Sequence, residues 1–210
     1  MNISRELDTL LKKVEKPARY IGGEINTVSK NPENVKVRFG FAFPDTYEIG
    51  MSYTGLQLLY NILNKDDEIY CERVFAPAMD MEEAMKANNL PLWALESQDA
   101  VKDFDMIAFT IGYEMCYTNI LNMLMLSGVP LRAADRKGLK NIVFAGGVCA
   151  YNPEPLADFI DFFFVDVSRK PQLIVQHSYD TGKGSITGSL SQTIDSSPTM
   201  TKGYCSFMVA

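Results

Sequence analysis

Residues 35–64, VKVRFGFAFPDTYEIGMSYTGLQLLYNILN, decide the fold of this chain. From Val35 to Phe43 the apolar side chains recur with a period of two, which predicts a β-strand. Residues 54–64 place leucines and a tyrosine at spacings of three and four, which predicts an amphipathic helix. Residues 44–52, rich in turn-forming residues, join the two. The segment therefore predicts a strand, a loop and a helix in succession.

Strand-like and helix-like stretches continue to alternate up to residue 165. The further predicted strands are IYCERVF at 69–75, LWALES at 92–97, MIAFTI at 106–111, IVFAGG at 142–147 and DFFFV at 161–165, and the further predicted helices cover 80–89, 116–126 and 153–159. Several of these strands are uniformly apolar, as expected for strands buried on both faces. The pattern predicts an α/β fold in which a parallel sheet carries helices on both faces.

Three regions of different character follow one another along the chain. Residues 1–16 form a predicted N-terminal helix, because apolar residues recur at helical spacing before Pro17. Residues 17–165 form the predicted α/β domain. Residues 166–210 are rich in Ser, Thr and Gly and have little sustained periodicity, so they are predicted to be a poorly ordered C-terminal tail.

Composition excludes several classes of function. The chain has 210 residues and a net charge of −6, so it lacks the basic surface of a nucleic-acid-binding protein. No apolar run approaches the roughly 18 to 20 residues that span a bilayer, and the charged amphipathic stretch 1–16 lacks the apolar h-region of a signal peptide. We expect a cytoplasmic protein that binds neither nucleic acid nor a membrane.

The cysteines and the histidine offer little chemistry of their own. Cys71, Cys116, Cys149 and Cys205 are far apart in the sequence and form no CxxC or CxxxCxxC motif. The only histidine, His177, lies in the predicted tail. The α/β domain therefore lacks an imidazole for general-base catalysis or metal binding, which argues against most hydrolase mechanisms. No catalytic and no metal-binding residue is assigned.

Ligands of parallel α/β sheets bind outside the carboxyl ends of the strands. The informative loops are therefore 44–52, 112–117 and 146–155. Each of them also has a plainer interpretation: the glycines and Pro44 shape turns, the tyrosines pack in the core, and the acids Asp45, Glu48 and Glu114 are solvated. A paired acid/base site requires that the loops carrying these acids converge.

The segments RYIGGEINTVSKNP, FAFPDTYEIGMSYTGLQLLYNILN, YCERVFAP and AGGVCAYNPEPLADFIDFFFV together resemble the N-terminal part of an uncharacterised family of radical SAM proteins. The resemblance covers residues 17–165. It implies a Rossmann-like (flavodoxin-like) cobalamin (B12)-binding domain, with the corrin over the carboxyl ends of the strands. The cofactor-binding positions that it implies are Pro44, Asp45, Tyr47, Gly50 and Ser52 in the first loop, Thr110, Gly112 and Tyr113 in the second, and Gly146, Gly147 and Pro153 in the third.

Two departures from the related families limit what the resemblance implies. The DxHxxG motif, whose histidine binds cobalt in the methionine-synthase type of domain, is absent, so any cobalamin binds without a histidine lower ligand. After residue 165 the chain also lacks the CxxxCxxC motif, whose thiolates hold a [4Fe-4S] cluster. The cluster and S-adenosylmethionine then belong to the full-length family only. We expect a truncated or frame-shifted chain, not catalytic alone, with a radical SAM barrel domain or a corrinoid as its partner.

Two other functions remain open. One is a docking module of Rossmann-like fold that binds no corrinoid, because Tyr47, Tyr113 and other side chains fill the slot for the ring. The other is a small nucleotide or flavin protein, which the absence of a dinucleotide fingerprint and of a phosphate loop disfavours.

Overall fold

The computed structural model describes residues 4–138, 140–165 and 173–175. The helices are α1 Ser4–Leu10, α2 Tyr47–Ser52, α3 Thr54–Asn64, α4 Met79–Asn88 and α5 Tyr117–Ser127, and the strands are β1 Val37–Phe43, β2 Ile69–Phe75, β3 Met106–Thr110, β4 Ile142–Gly146, β5 Phe162–Phe164 and β6 Leu173–Val175. Among the described residues, no helix is both long and apolar enough to cross a membrane.

The strands form one sheet in the order β2-β1-β3-β4-β5-β6. Strands β1 to β5 are all parallel, and β6 pairs antiparallel with β5. The order of the first five strands is that of flavodoxin-like folds, so the predicted parallel α/β fold is confirmed. Strand β6 lies within the predicted tail, whose other residues lie outside the described part of the chain.

Helices cover both faces of the sheet, as predicted. On one face, Phe39, Phe41 and Phe43 of β1 pack against α3. On the other face, Ala42 of β1 and Ile107 of β3 belong to a second core cluster, which includes residues of α1, α4 and α5. Alternate residues of 35–43 therefore lie on opposite faces of the sheet, and both faces are buried because β1 lies inside the sheet.

The stretch 92–97 was expected to be a strand, and that prediction is wrong. It makes a single antiparallel bridge, from Trp93 to Ala100, and runs along the outer edge of β2. There the Leu95 N–H donates to the Arg73 carbonyl at 2.8 Å, and the Glu96 carboxylate accepts from the Arg73 N–H at 2.7 Å. The apolar residues of 92–97 are buried because they cover this edge. The Glu96 carboxylate accepts the backbone hydrogen bond that a neighbouring strand would otherwise accept.

Three further helical segments differ from the prediction by more than one residue. The N-terminal helix, expected over residues 1–16, is described from Ser4 to Leu10. Within 153–159 only Glu154–Leu156 forms a short 3-10 helix. The loop 44–52 contains α2, which was not predicted, because its six residues are too few to show a helical period.

Asn64 protects another part of the outer edge of β2. Its side-chain nitrogen donates to the Cys71 carbonyl at 2.9 Å, and its side-chain oxygen accepts from the Cys71 N–H at 3.1 Å. Lys30 Nζ donates to the Ile69 carbonyl at 2.7 Å nearby. With residues 95 and 96, these contacts leave little of the edge open to another strand.

We expect Asn64→Leu to lower the free energy of unfolding by about 2 kcal/mol, because both buried backbone groups of Cys71 lose their partner. Urea denaturation measures the change. Asn88→Leu is the matched control, since the exposed Asn88 bonds only a carbonyl of its own helix, and it should change stability by about 0.5 kcal/mol or less. Equal losses of stability in the two variants would show that Asn64 does not stabilise the outer edge of β2.

Candidate functional site

The loops that follow β1, β3 and β4 converge at the carboxyl-end edge of the sheet. Asn119 at the start of α5 donates to the Pro44 carbonyl at 3.0 Å, which joins the first loop to the second. The Ile111 N–H donates to the Gly146 carbonyl at 2.7 Å, and the Cys149 N–H donates to the Ile111 carbonyl at 3.2 Å. These hydrogen bonds bring the three predicted loops together at one edge of the sheet.

The most direct contact between the first two loops joins Tyr113 to Asp45. The Tyr113 hydroxyl donates to Asp45 Oδ2 at 2.5 Å, while Asp45 Oδ1 accepts from the Thr46 N–H at 2.7 Å. The hydrogen bond to Asp45 raises the pKa of Tyr113 to about 12, because the bond requires the neutral phenol. The pair crosses the crevice between β1 and β3, where the order of the sheet reverses.

Tyr47 lies away from this crevice, although it was assigned to the same loop. Its hydroxyl donates to Glu24 Oε1 at 3.1 Å, and its ring packs edge-on against Phe75 at 5.5 Å. It lines a small pocket beside the end of β2, together with Arg19, Tyr20, Phe75 and Trp93 among others. Tyr47 and its neighbour Glu48, which pairs with Arg19 at 2.8 Å, fasten α2 to the N-terminal segment.

Two of the predicted glycines have a packing role. A Cβ at Gly50 would lie 2.3 Å from the Phe75 ring, so α2 approaches β2 closely only with glycine there. A Cβ at Gly147 would lie 2.6 Å from the Ile111 carbonyl oxygen, and its φ is +109°. Gly112 differs, because nothing lies within 4 Å of its Cβ position. Of these three glycines, Gly112 is the one that leaves the backbone open to a ligand.

The remaining predicted residues lie at the same edge with local contacts. Ser52 donates to the Ile49 carbonyl at 2.8 Å. Thr110 is paired with Gly146, at the last position in the register of β3 and β4. The Pro153 carbonyl accepts from the Leu156 N–H at 3.0 Å, within the 3-10 turn.

The acids and thiols at this edge are held in unreactive states. Asp45 and Glu48 have separate partners, so they form no acid/base pair. Cys116 is fully buried, with its thiol donating to the Tyr113 carbonyl at 2.8 Å. Burial raises the pKa of the Cys116 and Cys149 thiols, which opposes formation of a nucleophilic thiolate.

Several exposed apolar side chains, here named the apolar rim, follow the carboxyl ends of the strands, at the same edge of the sheet as Asp45. Its members are Ile49 and Tyr53 after β1, Met79 after β2, Tyr113 and Met115 after β3, and Val148 and Tyr151 after β4. Met115 is 84% exposed and Val148 is 72% exposed, which is unusual for side chains of this size. The rim was not predicted, although apolar residues directly after strand ends were visible in the sequence. Exposed apolar surfaces of this kind mark binding sites.

The described residues contain no group of three or more His, Cys, Asp or Glu side chains that could hold a metal ion. They also include no histidine, because His177 lies outside the described residues. A cobalt corrinoid at this edge would therefore find no imidazole ligand among them. The surface combines exposed apolar side chains with the Tyr113–Asp45 pair and with open backbone at Gly112.

Comparisons with known proteins bear on the family of this chain. Residues 55–175 match the family described as the N-terminal region of radical SAM proteins. An uncharacterized protein of Methanocaldococcus jannaschii is 28% identical over 125 residues, which cover 59% of this chain and 22% of that protein. No solved structure matches.

The matched region contains two of the three loops of the predicted site. It includes the second and third loops but begins after the first loop, and it runs to residue 175, past the expected end of the resemblance at residue 165. More than half of the chain is matched. The chain therefore belongs to the radical SAM proteins, as a member of their N-terminal-region family.

Proposed function

We propose that this chain is a cobalamin-binding-like N-terminal domain of a radical SAM enzyme, and that a corrinoid lies over the carboxyl ends of β1, β3 and β4. The apolar rim is the observation that carries the proposal. A corrin ring has two broad faces, and ligand sites are lined mainly by apolar side chains with a few polar groups. The rim offers apolar side chains, with the Tyr113–Asp45 pair among them.

The described residues indicate how the ring would be held. Tyr113 and Asp45 bridge the mouth of the crevice, so they would hold a ring outside the space between β1 and β3. The exposed Met115 and Val148 would contact the ring and shield it from water. A bound corrinoid supplies cobalt for alkyl-transfer or radical chemistry. The protein's part is to hold and orient the ring.

Catalysis by this chain alone is not part of the proposal. The sequence has no CxxxCxxC motif, so it does not provide the local cysteine set that holds the cluster in radical SAM barrels. We assign the cluster and S-adenosylmethionine to a separate barrel domain. The alignment with the Methanocaldococcus jannaschii protein covers 22% of that protein, which leaves ample length for such a domain there.

The second candidate function is docking of another protein domain on the same rim, without a corrinoid. Two features favour it. The Tyr113–Asp45 bridge already occupies the mouth of the crevice, and the exposed Met79 and Met115 are flexible side chains of the kind found on adaptable protein-binding surfaces.

Equilibrium dialysis of the full chain against hydroxocobalamin, with the corrinoid quantified by its visible absorption, distinguishes the two functions. We expect saturable retention of the corrinoid by the protein, and we expect Val148→Glu to weaken binding about tenfold or more, because it places a charge against the ring. Leu58→Glu is the matched control: Leu58 is 58% exposed on α3, outside the rim, and its substitution should leave the affinity unchanged.

Two results would contradict corrinoid binding at the rim. One is that the protein retains no hydroxocobalamin at any concentration, which rules out the corrinoid and leaves domain docking. The other is an equal loss of affinity in Val148→Glu and Leu58→Glu, which places the corrinoid elsewhere. Thermal unfolding of each variant confirms that it is folded.

A further inference from the structure

Tyr113 occupies the centre of the apolar rim. It follows β3, which lies between β1 and β4, so rim residues of the neighbouring loops flank it on both sides. The side chain is 42% exposed, although its hydroxyl is held by Asp45. A phenol oxygen that donates its one proton still has lone pairs that accept hydrogen bonds. Toward a ligand on the rim, Tyr113 is therefore an acceptor.

Asp45 is held in place independently of any ligand. Its N–H donates to the Phe43 carbonyl at 2.8 Å, and its carbonyl accepts from the Ala76 N–H at 3.0 Å. Its Oδ1 accepts from the Thr46 N–H at 2.7 Å, which leaves Oδ2 for Tyr113. Three backbone contacts thus fix the direction in which the carboxylate faces. A carboxylate fixed in this way orients the group that it binds, as outer partners do for metal ligands.

From this geometry we propose that Asp45 and Tyr113 form a positioning pair, which selects ligands that carry a hydrogen-bond donor on the face that meets the sheet. Asp45 holds the phenol proton, and the Tyr113 oxygen accepts from the ligand. The inference rests on the proposed function and makes it more specific. A corrinoid whose cobalt carries water presents a donor to Tyr113. A corrinoid whose cobalt carries cyanide presents only an acceptor.

The test compares two corrinoids that differ only in the axial groups on cobalt. Diaquocobinamide carries water on both faces of the ring, and dicyanocobinamide carries cyanide on both, so the result does not depend on which face meets the protein. Affinities of both are measured by equilibrium dialysis against the full chain, with the corrinoid quantified by its visible absorption, at a pH where cobalt carries water. The wild type should prefer the aquo form, and Tyr113→Phe should reduce that preference about five- to tenfold.

Charge does not explain such a change, because Tyr113→Phe leaves the charge of the protein unaltered. Asp45→Asn should also reduce the preference, since the phenol loses its fixed acceptor. An unchanged preference in Tyr113→Phe would overturn the positioning role and leave corrinoid binding intact. If neither corrinoid binds the wild type, the proposed function is wrong, and the proposed selection of ligands by Tyr113 is wrong too. Should Asp45→Asn fail to fold, the Tyr113→Phe result decides alone.

Discussion

Replacing Arg73 by methionine is expected to lower the free energy of unfolding by about 3–5 kcal/mol, because it leaves a buried carboxylate without its partner. Arg73 lies on β2 and is fully buried. Its Nε donates to Glu96 Oε1 at 2.6 Å, and its guanidinium lies over the Tyr60 ring at 4.4 Å. The same group lies 3.6 Å from Glu24, the acceptor of the Tyr47 hydroxyl. Loss of Arg73 therefore also loosens the support of α2.

The destabilisation should depend on pH. Burial raises the pKa of Glu96 from its ordinary value of 4.5 to about 7 even with Arg73 present, and removal of the guanidinium should raise it further. A carboxyl with a raised pKa in the folded state destabilises the fold as pH rises, because the unfolded chain ionises first. Between about pH 4.5 and 7 the stability of both proteins should therefore fall in parallel, and the difference between wild type and Arg73→Met should grow above about pH 7, where Glu96 ionises in the folded wild type but not in the folded variant.

Urea denaturation at several pH values measures both effects. Arg132→Met is the matched control, because the Arg132–Asp158 pair is exposed, and its loss should change stability by about 0.5 kcal/mol. Arg73→Met combined with Glu96→Gln should recover part of the lost stability, since the amide carries no charge. The explanation fails if Arg73→Met is no more destabilising than Arg132→Met.

The spacing of apolar residues was enough to predict those helices and strands that are buried by packing of helices against the sheet. Strand β2 and helix α3 have the predicted bounds, because in both the regular apolar spacing stops where polar residues begin. The same reasoning failed at 92–97, where apolar residues cover the edge of β2 and do not join the sheet. An apolar pattern reports burial, and burial has more than one cause.

The site was predicted as three loops but not as a set of contacts. Tyr113 and Asp45 were both assigned, yet they are 68 positions apart and no local signal pairs them. The buried ion pair was also missed. The predicted strand IYCERVF contains Glu72 and Arg73 at its centre. Charged residues within a buried strand require partners, so these two were a visible signal of long-range contacts.

Gly147→Ala is expected to lower the free energy of unfolding by about 3 kcal/mol, because the backbone at this position suits only glycine. Its φ of +109° and ψ of −178° lie in a region that residues with a side chain rarely adopt. The added Cβ would also lie 2.6 Å from the oxygen and 3.0 Å from the nitrogen of Ile111, which are backbone atoms that cannot rotate away.

The same substitution should also disturb the candidate site. Two hydrogen bonds flank Gly147, from the Ile111 N–H to the Gly146 carbonyl and from the Cys149 N–H to the Ile111 carbonyl. A side chain between them pushes the loop after β3, which carries Tyr113, away from the loop after β4, which carries Val148. Amide hydrogen exchange at Cys149 should therefore accelerate in Gly147→Ala, and binding of hydroxocobalamin should weaken.

Gly112→Ala is the control that shows whether any side chain added to these loops lowers the stability, or only one added at position 147. Gly112 lies at the same edge of the sheet, but its Cβ position has nothing within 4 Å and its φ is outside the left-handed region. Its substitution should change stability by about 0.5 kcal/mol or less. Urea denaturation and hydrogen exchange of both variants test the argument. Equal stability of the two would mean that the loop after β4 adapts to a side chain at 147, and that close approach to Ile111 does not hold the site together.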